Sequence, residues 1–480
     1  MISLSVKERD AKGVSERSSD LVEITPEETL ETPTTETISE KQADLSPAQK
    51  NSGQRLMIQE GALWAVMNAI AGTGGIVMTA FALYLKADGF AIGLLSSLPL
   101  VAALLQLWTP QMVARLGSRK LVCVITLGTS RVLLLPLAFV AMGAILFPDL
   151  SLLWLLIVLA SITLASAFNA IGGTSWLSWA GTVIPAEKRA VYFSRRNFIM
   201  GIIGLVVSLF TGFFMDWWTI PASTKTGHQT HPGAYVLLFL IAGLCGVCTI
   251  FILRRTPDLP NPKDTPRPRL RDSLIETWQH LTLRRFLIFR SAWMFAVGIC
   301  SPYYTVYLLQ NLHLNFTQVF FLSNLGTVAG LLGMSWWGRK VEKLGCSRIL
   351  YWTSWFKVLY VILWALVGPK DAFLPMMLLH STLIIDAGLN LASGNLLMNL
   401  MPREGTGNVG YYSAFTAVMS LVSAVGPFMA GIIIGLIAGG NIVIAGVAFG
   451  GIQVMFLLSG ILRVLALCLF RGFDDAQPAQ

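Results

Sequence analysis

Charge is what this chain has least of. Asp, Glu, Lys and Arg make up 13% of its 480 residues, against roughly 25% in a globular domain, so an ordinary soluble protein is excluded. The sequence also lacks the period-two alternation of a lipid-facing strand, which excludes a membrane β-barrel. No phosphate loop G-x-x-x-x-G-K-S/T, no H-E-x-x-H pair and no nucleophile elbow occurs. An enzyme is therefore not expected, no cofactor is implied, and there is no site from which ATP could drive the protein. The six cysteines are scattered (Cys123, Cys245, Cys248, Cys300, Cys346, Cys468). Cys245-x-x-Cys248 lies inside an apolar run with no second pair beside it, so neither a disulfide framework nor a metal is expected.

Long apolar runs are what the chain has most of. Hydrophobic residues reach 54% and the mean hydropathy is +0.64. They fall in blocks of about 20, enough to cross a bilayer as helices. Twelve spans are expected near 60–86, 91–113, 121–147, 151–180, 197–217, 235–254, 286–310, 316–338, 349–368, 373–400, 410–437 and 442–470, giving an all-α membrane protein. Residues 1–53, led by Glu23, Glu27, Glu28, Glu31, Glu36 and Glu40, read as a disordered acidic tail. No signal-peptide pattern opens the sequence, so the first span is expected to direct insertion. A Pro- and Arg-rich stretch at 255–285 is the natural linker between six-helix halves at 54–254 and 286–470, with a short tail at 471–480.

Lys and Arg set the orientation. Loops after odd spans carry only Lys86, Lys225 and Lys370. Loops after even spans carry Arg115, Arg119, Lys120, Lys188, Arg189, Arg195, Arg196, Arg254 with seven bases of the linker, and Arg339, Lys340, Lys343 and Arg348. The positive-inside rule then puts both termini in the cytoplasm of a multi-pass plasma-membrane protein. The net charge of +9 is accounted for by these loops, with no nucleic-acid partner implied.

The halves repeat. Gly75-Ile76 and Tyr84-Leu85 match Gly298-Ile299 and Tyr307-Leu308 at constant offset. Val191-Tyr192-Phe193-Ser194 matches Gly410-Tyr411-Tyr412-Ser413, which sets Gly212 on Gly431. Pro185 and Pro402, each followed by a glutamate (Glu187, Glu404), close the fourth and tenth spans.

One loop appears in both halves. Gly338-Arg339-Lys340-Val341-Glu342-Lys343-Leu344-Gly345-Cys346-Ser347-Arg348 has a weaker twin in Pro110-Gln111-Met112-Val113-Ala114-Arg115-Leu116-Gly117-Ser118-Arg119-Lys120. This pair resembles the loop signature of the major facilitator superfamily, found between the second and third helices of each half. The resemblance spans residues 57 to 470. It implies two pseudo-symmetric six-helix bundles around a central cavity, with helices 1, 4, 7 and 10 lining it and 3, 6, 9 and 12 facing lipid. Alternating access would come from rocking one bundle on the other. Ala114 replaces the acid of the first loop and Pro110 its leading glycine, so the lock expected on the cytoplasmic side is single. Glu342 is expected to pair with Arg195 and Arg196.

The drug–proton antiporters of that superfamily carry a G-P-x-x-G-G type string on the fifth helix. Here Ser208-Leu209-Phe210-Thr211-Gly212 stands in its place, and Gly426-Pro427-Phe428-Met429-Ala430-Gly431 occurs on the eleventh. The expected function is proton-coupled secondary transport of a small organic solute by a monomer, leaning to export. An uncoupled facilitator and a non-transporting receptor are the alternatives.

An ionisable group inside a span costs several kcal/mol and is a functional candidate. Asp386, mid-way along the tenth span beside Asn390, Asn395 and Asn399, reads either as a protonatable or cation-pairing site or as an acid closing a polar network. Asn169 stands at the same place before Pro185. Glu60 is expected at the interfacial N-terminus of the first helix. Arg131, Lys357 and Arg463 are expected to snorkel, and His380 to be a hydrogen-bonded structural side chain. A solute wall is expected from Tyr304 and Tyr307 on the seventh helix, Trp64 and Asn68 on the first and Trp176 on the fourth. Trp217 and Trp218 read as interface belt.

Overall fold

The computed structural model describes residues 46–184, 188–220, 229–258, 270–401, 407–437, 442–444, 447–470 and 473. Residues 1–45 of the expected acidic tail, the prolines and glutamates at 185, 187, 402 and 404, and the middle of the linker lie outside the described residues, while 47–53, expected to belong to that tail, are helical. Among the described residues the fold is all-helical apart from two short hairpins, and twelve apolar helices form two pseudo-symmetric six-helix bundles. The spans run Ala48–Tyr84, Gly89–Leu116, Arg119–Leu146, Pro148–Val183, Val191–Trp217 and Gly233–Arg255 in the first half. In the second they run Leu281–Asn311, Phe316–Leu344, Cys346–Leu366, Phe373–Leu400, Tyr411–Ile437 and Gly451–Cys468. They are numbered one to twelve below.

Several boundaries differ from the sequence reading: the fifth helix starts at Arg189 and the eighth runs on to Leu344. The first helix begins at Pro47, because Ser46 and Gln49 form a reciprocal capping box that satisfies its end. The stretch 442–449, expected to open the last span, pairs Ile442–Ile444 with Val447–Phe449, and the helix starts at Gly451. The linker carries a short helix of its own, Leu270–Gln279.

Several spans are broken where the sequence weakens the ladder. The first stops at Ala71 and resumes at Ile76, across Gly74 at φ +72°. The seventh breaks at Ser301-Pro302 and ends in a π turn, Tyr307–Asn311. The tenth breaks after Ser381 and resumes at Ile384, which places Asp386 in the first turn of its second segment.

The paired loops share one device. Gly117 (φ +70°) and Gly345 (φ +82°) end the second and eighth helices in backbone only glycine adopts freely, and their N–H groups close onto Val113 and Val341 carbonyls. Asp88 and Asn315 likewise cap the second and eighth helices at the same place in each half.

The halves meet along two seams at the end away from the described chain ends. A methyl on Gly212 of the fifth helix would stand 2.8 Å from the Phe320 ring of the eighth, and one on Gly93 of the second would stand 2.6 Å from the Pro427 carbonyl of the eleventh. Gly431, the repeat partner of Gly212, packs against Phe90 on that second seam. Small residues let helix backbones approach this closely. Polar contacts reinforce the seams. Tyr303 donates to the Gly89 carbonyl at 2.9 Å, and Ser208 and Asn324 bond at 2.8 Å. Asp216, on the fifth helix, accepts from the Phe316 and Thr317 amides at 2.8 and 2.7 Å and so caps the eighth helix from the opposite half.

Asp216→Ala should loosen this end. Spin labels at positions 86 and 310 should report a longer distance in the variant by pulsed EPR; an unchanged distance distribution would remove Asp216 as the latch.

Candidate functional site

Both halves hold a base in the third helix of the half, and both meet it with a polar side chain from the fourth. In the first half Arg131 donates to the Asn169 side chain at 3.1 Å. In the second half Lys357 lies 3.0 Å from Asp386. Asn169 and Asp386, matched in the sequence by their distance from a proline, are thus matched in role as well.

The expectation of snorkelling is overturned. Arg131 and Arg463 are each 2% exposed. A base that far down an apolar helix finds an acid or carbonyl nearer than the interface. Arg463 on the twelfth helix donates to the Lys357 carbonyl at 2.9 Å and to Cys300 Sγ at 3.4 Å, and it lies over the Trp293 ring.

Glu60 also departs from its expected interfacial place. The helix starts thirteen positions earlier, so Glu60 sits about 20 Å along it at 1.5 Å per residue. It bridges Arg196 at 3.1 Å and Arg131 at 3.6 Å, tying the first, third and fifth helices. Arg196 also donates to the Met57 carbonyl and stacks on Trp176 at 4.3 Å. Arg196 is thereby engaged away from Glu342, its expected partner. Glu342 and Arg195 are both exposed with no ion-pair partner among the described residues, and Lys343, Arg348 and Arg115 are exposed too. Gly338 lies within the eighth helix, and Arg119 begins the third behind the Ser118 cap.

The two acid clusters differ in access. The Glu60 side chain is 4% exposed and sealed between two guanidiniums, whereas that of Asp386 is 34% exposed. Asp386 opens into a cavity of about 740 Å³ in the second half, together with Lys357, Asn390, Tyr304, Arg290 and Arg463. The sealed cluster holds helices together; only the open one can exchange a proton or a ligand with water.

The aromatic wall is partly redistributed. Tyr304 lines the cavity, stacked on Phe456. Tyr307 does not: it is 1% exposed, and its hydroxyl donates to the Val367 carbonyl at 2.6 Å. Trp64 packs half-buried on the core of the first half, Asn68 is exposed one turn along, and Trp176 is taken up by Arg196. Trp293 and Trp364 join the cavity instead. His380 lines it while its Nδ1 bonds the Met376 carbonyl at 2.8 Å.

Arg290 escaped the sequence reading. It sits nine residues into the seventh helix, close behind Arg284 and Arg285, and so reads as an extension of the basic linker. The signal was its place inside an otherwise apolar run.

With this geometry in place, the wider comparison is decisive. The Major Facilitator Superfamily family model matches residues 62–427. The chain belongs to the major facilitator superfamily. The fold is shared with the nucleoside transporter NupG (TM-score 0.59, 14% identity, covering 88% of this chain and 98% of that one). It is shared likewise with the inward-open xylose transporter XylE from E. coli (0.60, 13%, 90% and 98%). A bacterial homologue of the iron transporter ferroportin in an inward-facing state also matches (0.59, 13%, 89% and 98%). At such identities the likeness is one of fold, and those proteins' named cargoes have little in common. No curated protein matches the chain in sequence. As a member of this family with twelve apolar helices, the chain is a multi-pass membrane protein and a secondary transporter of some solute.

Glu60→Gln should leave Arg131 and Arg196 buried without a counter-charge, costing about 3–5 kcal/mol. Thermal unfolding of the detergent-purified variant should show a clear loss of stability; a melting temperature equal to wild type would mean the cluster is not structural.

Proposed function

We propose that this facilitator is a proton-coupled secondary active transporter of a small organic solute, working by alternating access in the cytoplasmic membrane as a monomer with both termini inside. The observation that carries the reading is the Lys357–Asp386 ion pair, 3.0 Å long and open to the cavity. A lone carboxylate facing both water and a base is a two-state element. Ionised, it holds Lys357 and ties the ninth helix to the tenth. Protonated, it lets go, and the lysine must find another partner. Binding of a proton, binding of solute and the packing of two cavity helices are thereby linked.

The conformation fits one stage of that cycle. The glycine seams and the Asp216 cap close the end away from the termini, while Glu342 and Arg195 stand exposed and apart at the other. With the termini inside, this is the inward-open state. Closing the cytoplasmic side would bring the loop at 338–348 towards the fifth helix, where Arg195 is the base left free to meet Glu342.

The test compares metabolite pools in cells expressing wild type and Asp386→Asn, with and without a protonophore. Wild-type-dependent differences should vanish with the protonophore and with the mutation, while the mutant remains folded and inserted. Differences that survive the protonophore would identify an uncoupled facilitator, and differences that survive the mutation would remove Asp386 as the coupling residue.

A further inference from the structure

The cavity in the second half holds three cations and one acid among the described residues: Arg290, Lys357 and Arg463 face Asp386. Two of the cations are accounted for. Lys357 pairs with Asp386, and Arg463 has its carbonyl, its thiol and the Trp293 ring. Arg290 is not. Among the described residues its buried Nε and Nη1 atoms have no hydrogen-bond acceptor, and the one hydrogen-bond contact of its guanidinium is the Met294 thioether, 4.0 Å from Nη2. Thioether sulfur is a weak acceptor. A permanently charged group within a span is costly, and more so when unpaired.

Among the described residues the one carboxylate lining the cavity is committed to Lys357, which leaves no counter-charge there for Arg290. From this geometry we infer that the solute is an organic anion, and that its carboxylate or phosphate group is the missing partner of Arg290. The inference rests on the transport reading above and gives its substrate a chemical class. A guanidinium presents planar, forked donors matched to those oxyanions, and the weak sulfur contact is easily displaced. Cavity size and lining suit an apolar body behind the charged head: about 740 Å³ with Met294, Val297, Leu331 and Met334 on its walls.

The same charges suggest how the proton takes part. Protonation of Asp386 releases Lys357 into a cavity that already holds Arg290, so the site gains positive charge as it takes up the anion. Anion and proton then bind together, and leave together when Asp386 recaptures the lysine.

The full-length protein, purified in detergent, tests this with three probes of similar body: phenylacetate, phenyl phosphate and neutral phenylacetamide. At millimolar concentration at least one anion should raise the melting temperature of wild type while the amide leaves it unchanged; the stronger anion distinguishes carboxylate from phosphate chemistry. Arg290→Gln should abolish that shift and Arg290→Lys retain part of it. Without any probe, Arg290→Gln should melt a few degrees above wild type, because it removes an unpaired buried charge. The inference falls if neither anion shifts wild type, if the amide acts as strongly, if Arg290→Gln keeps the anion response, or if its probe-free melting temperature drops. Any of these alongside an intact Asp386-dependent proton response would sink the anion assignment and leave the transport reading standing.

Discussion

A basic side chain half-way down an apolar helix has to be neutralised within reach, and much of this structure follows from that demand. Arg131 and Lys357 occupy comparable depths in the third helix of each half, and each is met by a polar side chain from the fourth. Neutralisation draws in further helices. Glu60 brings the first helix to Arg131 and also binds Arg196 of the fifth, while Arg463 brings the twelfth to the Lys357 backbone. In lipid there is no hydrophobic force between helices to do this work, so polar contacts and close backbone packing select the neighbours.

The two halves obey the same plan with different chemistry. Where the first half has an amide at Asn169 and moves its acid to Glu60, sealed between two arginines, the second keeps its acid at Asp386 on the cavity wall. A sealed acid cannot change protonation without breaking the packing of three helices. An open one can, and among the described residues Lys357 is the single base it holds. Pseudo-symmetry supplies the frame, and the departure from it separates a sealed cluster from an open one. The loops show a similar division: both keep the glycine that turns the chain, and only the second keeps an acid.

Much of this was legible in the residues. The apolar blocks located all twelve spans, because a bilayer demands about twenty apolar residues wherever the chain crosses. Gly117 and Gly345 stood out because only glycine ends a helix cheaply with positive φ. Asp386 stood out because acids in apolar runs are rare. Partners were harder to read. The depth of Glu60 was misjudged because Ser46 and Gln49 cap a first helix that begins in polar sequence, where hydropathy gives no sign of it. Tyr307 shares a helix face with Tyr304, yet its hydroxyl turns to the Val367 carbonyl, which no spacing reveals. Arg290 was hidden in a run of basic residues, and its place inside an apolar run did not by itself show that it sits two turns deeper without an acidic partner.

By itself the sequence determined the membrane class, the number of spans, the two-fold repeat, the glycine turns and the one acid of the tenth helix. Each is a property of composition or of short-range spacing, set by the bilayer and by backbone sterics. Tertiary structure alone decided which charges meet, because ion pairs such as Glu60–Arg196 and Lys357–Asp386 join residues far apart in the chain. It also decided which of two acids within the spans faces water and which cation, among the described residues, is left without an acidic partner. Those outcomes depend on helix rotation and on a few ångströms of depth, quantities that the order of residues along one helix does not contain.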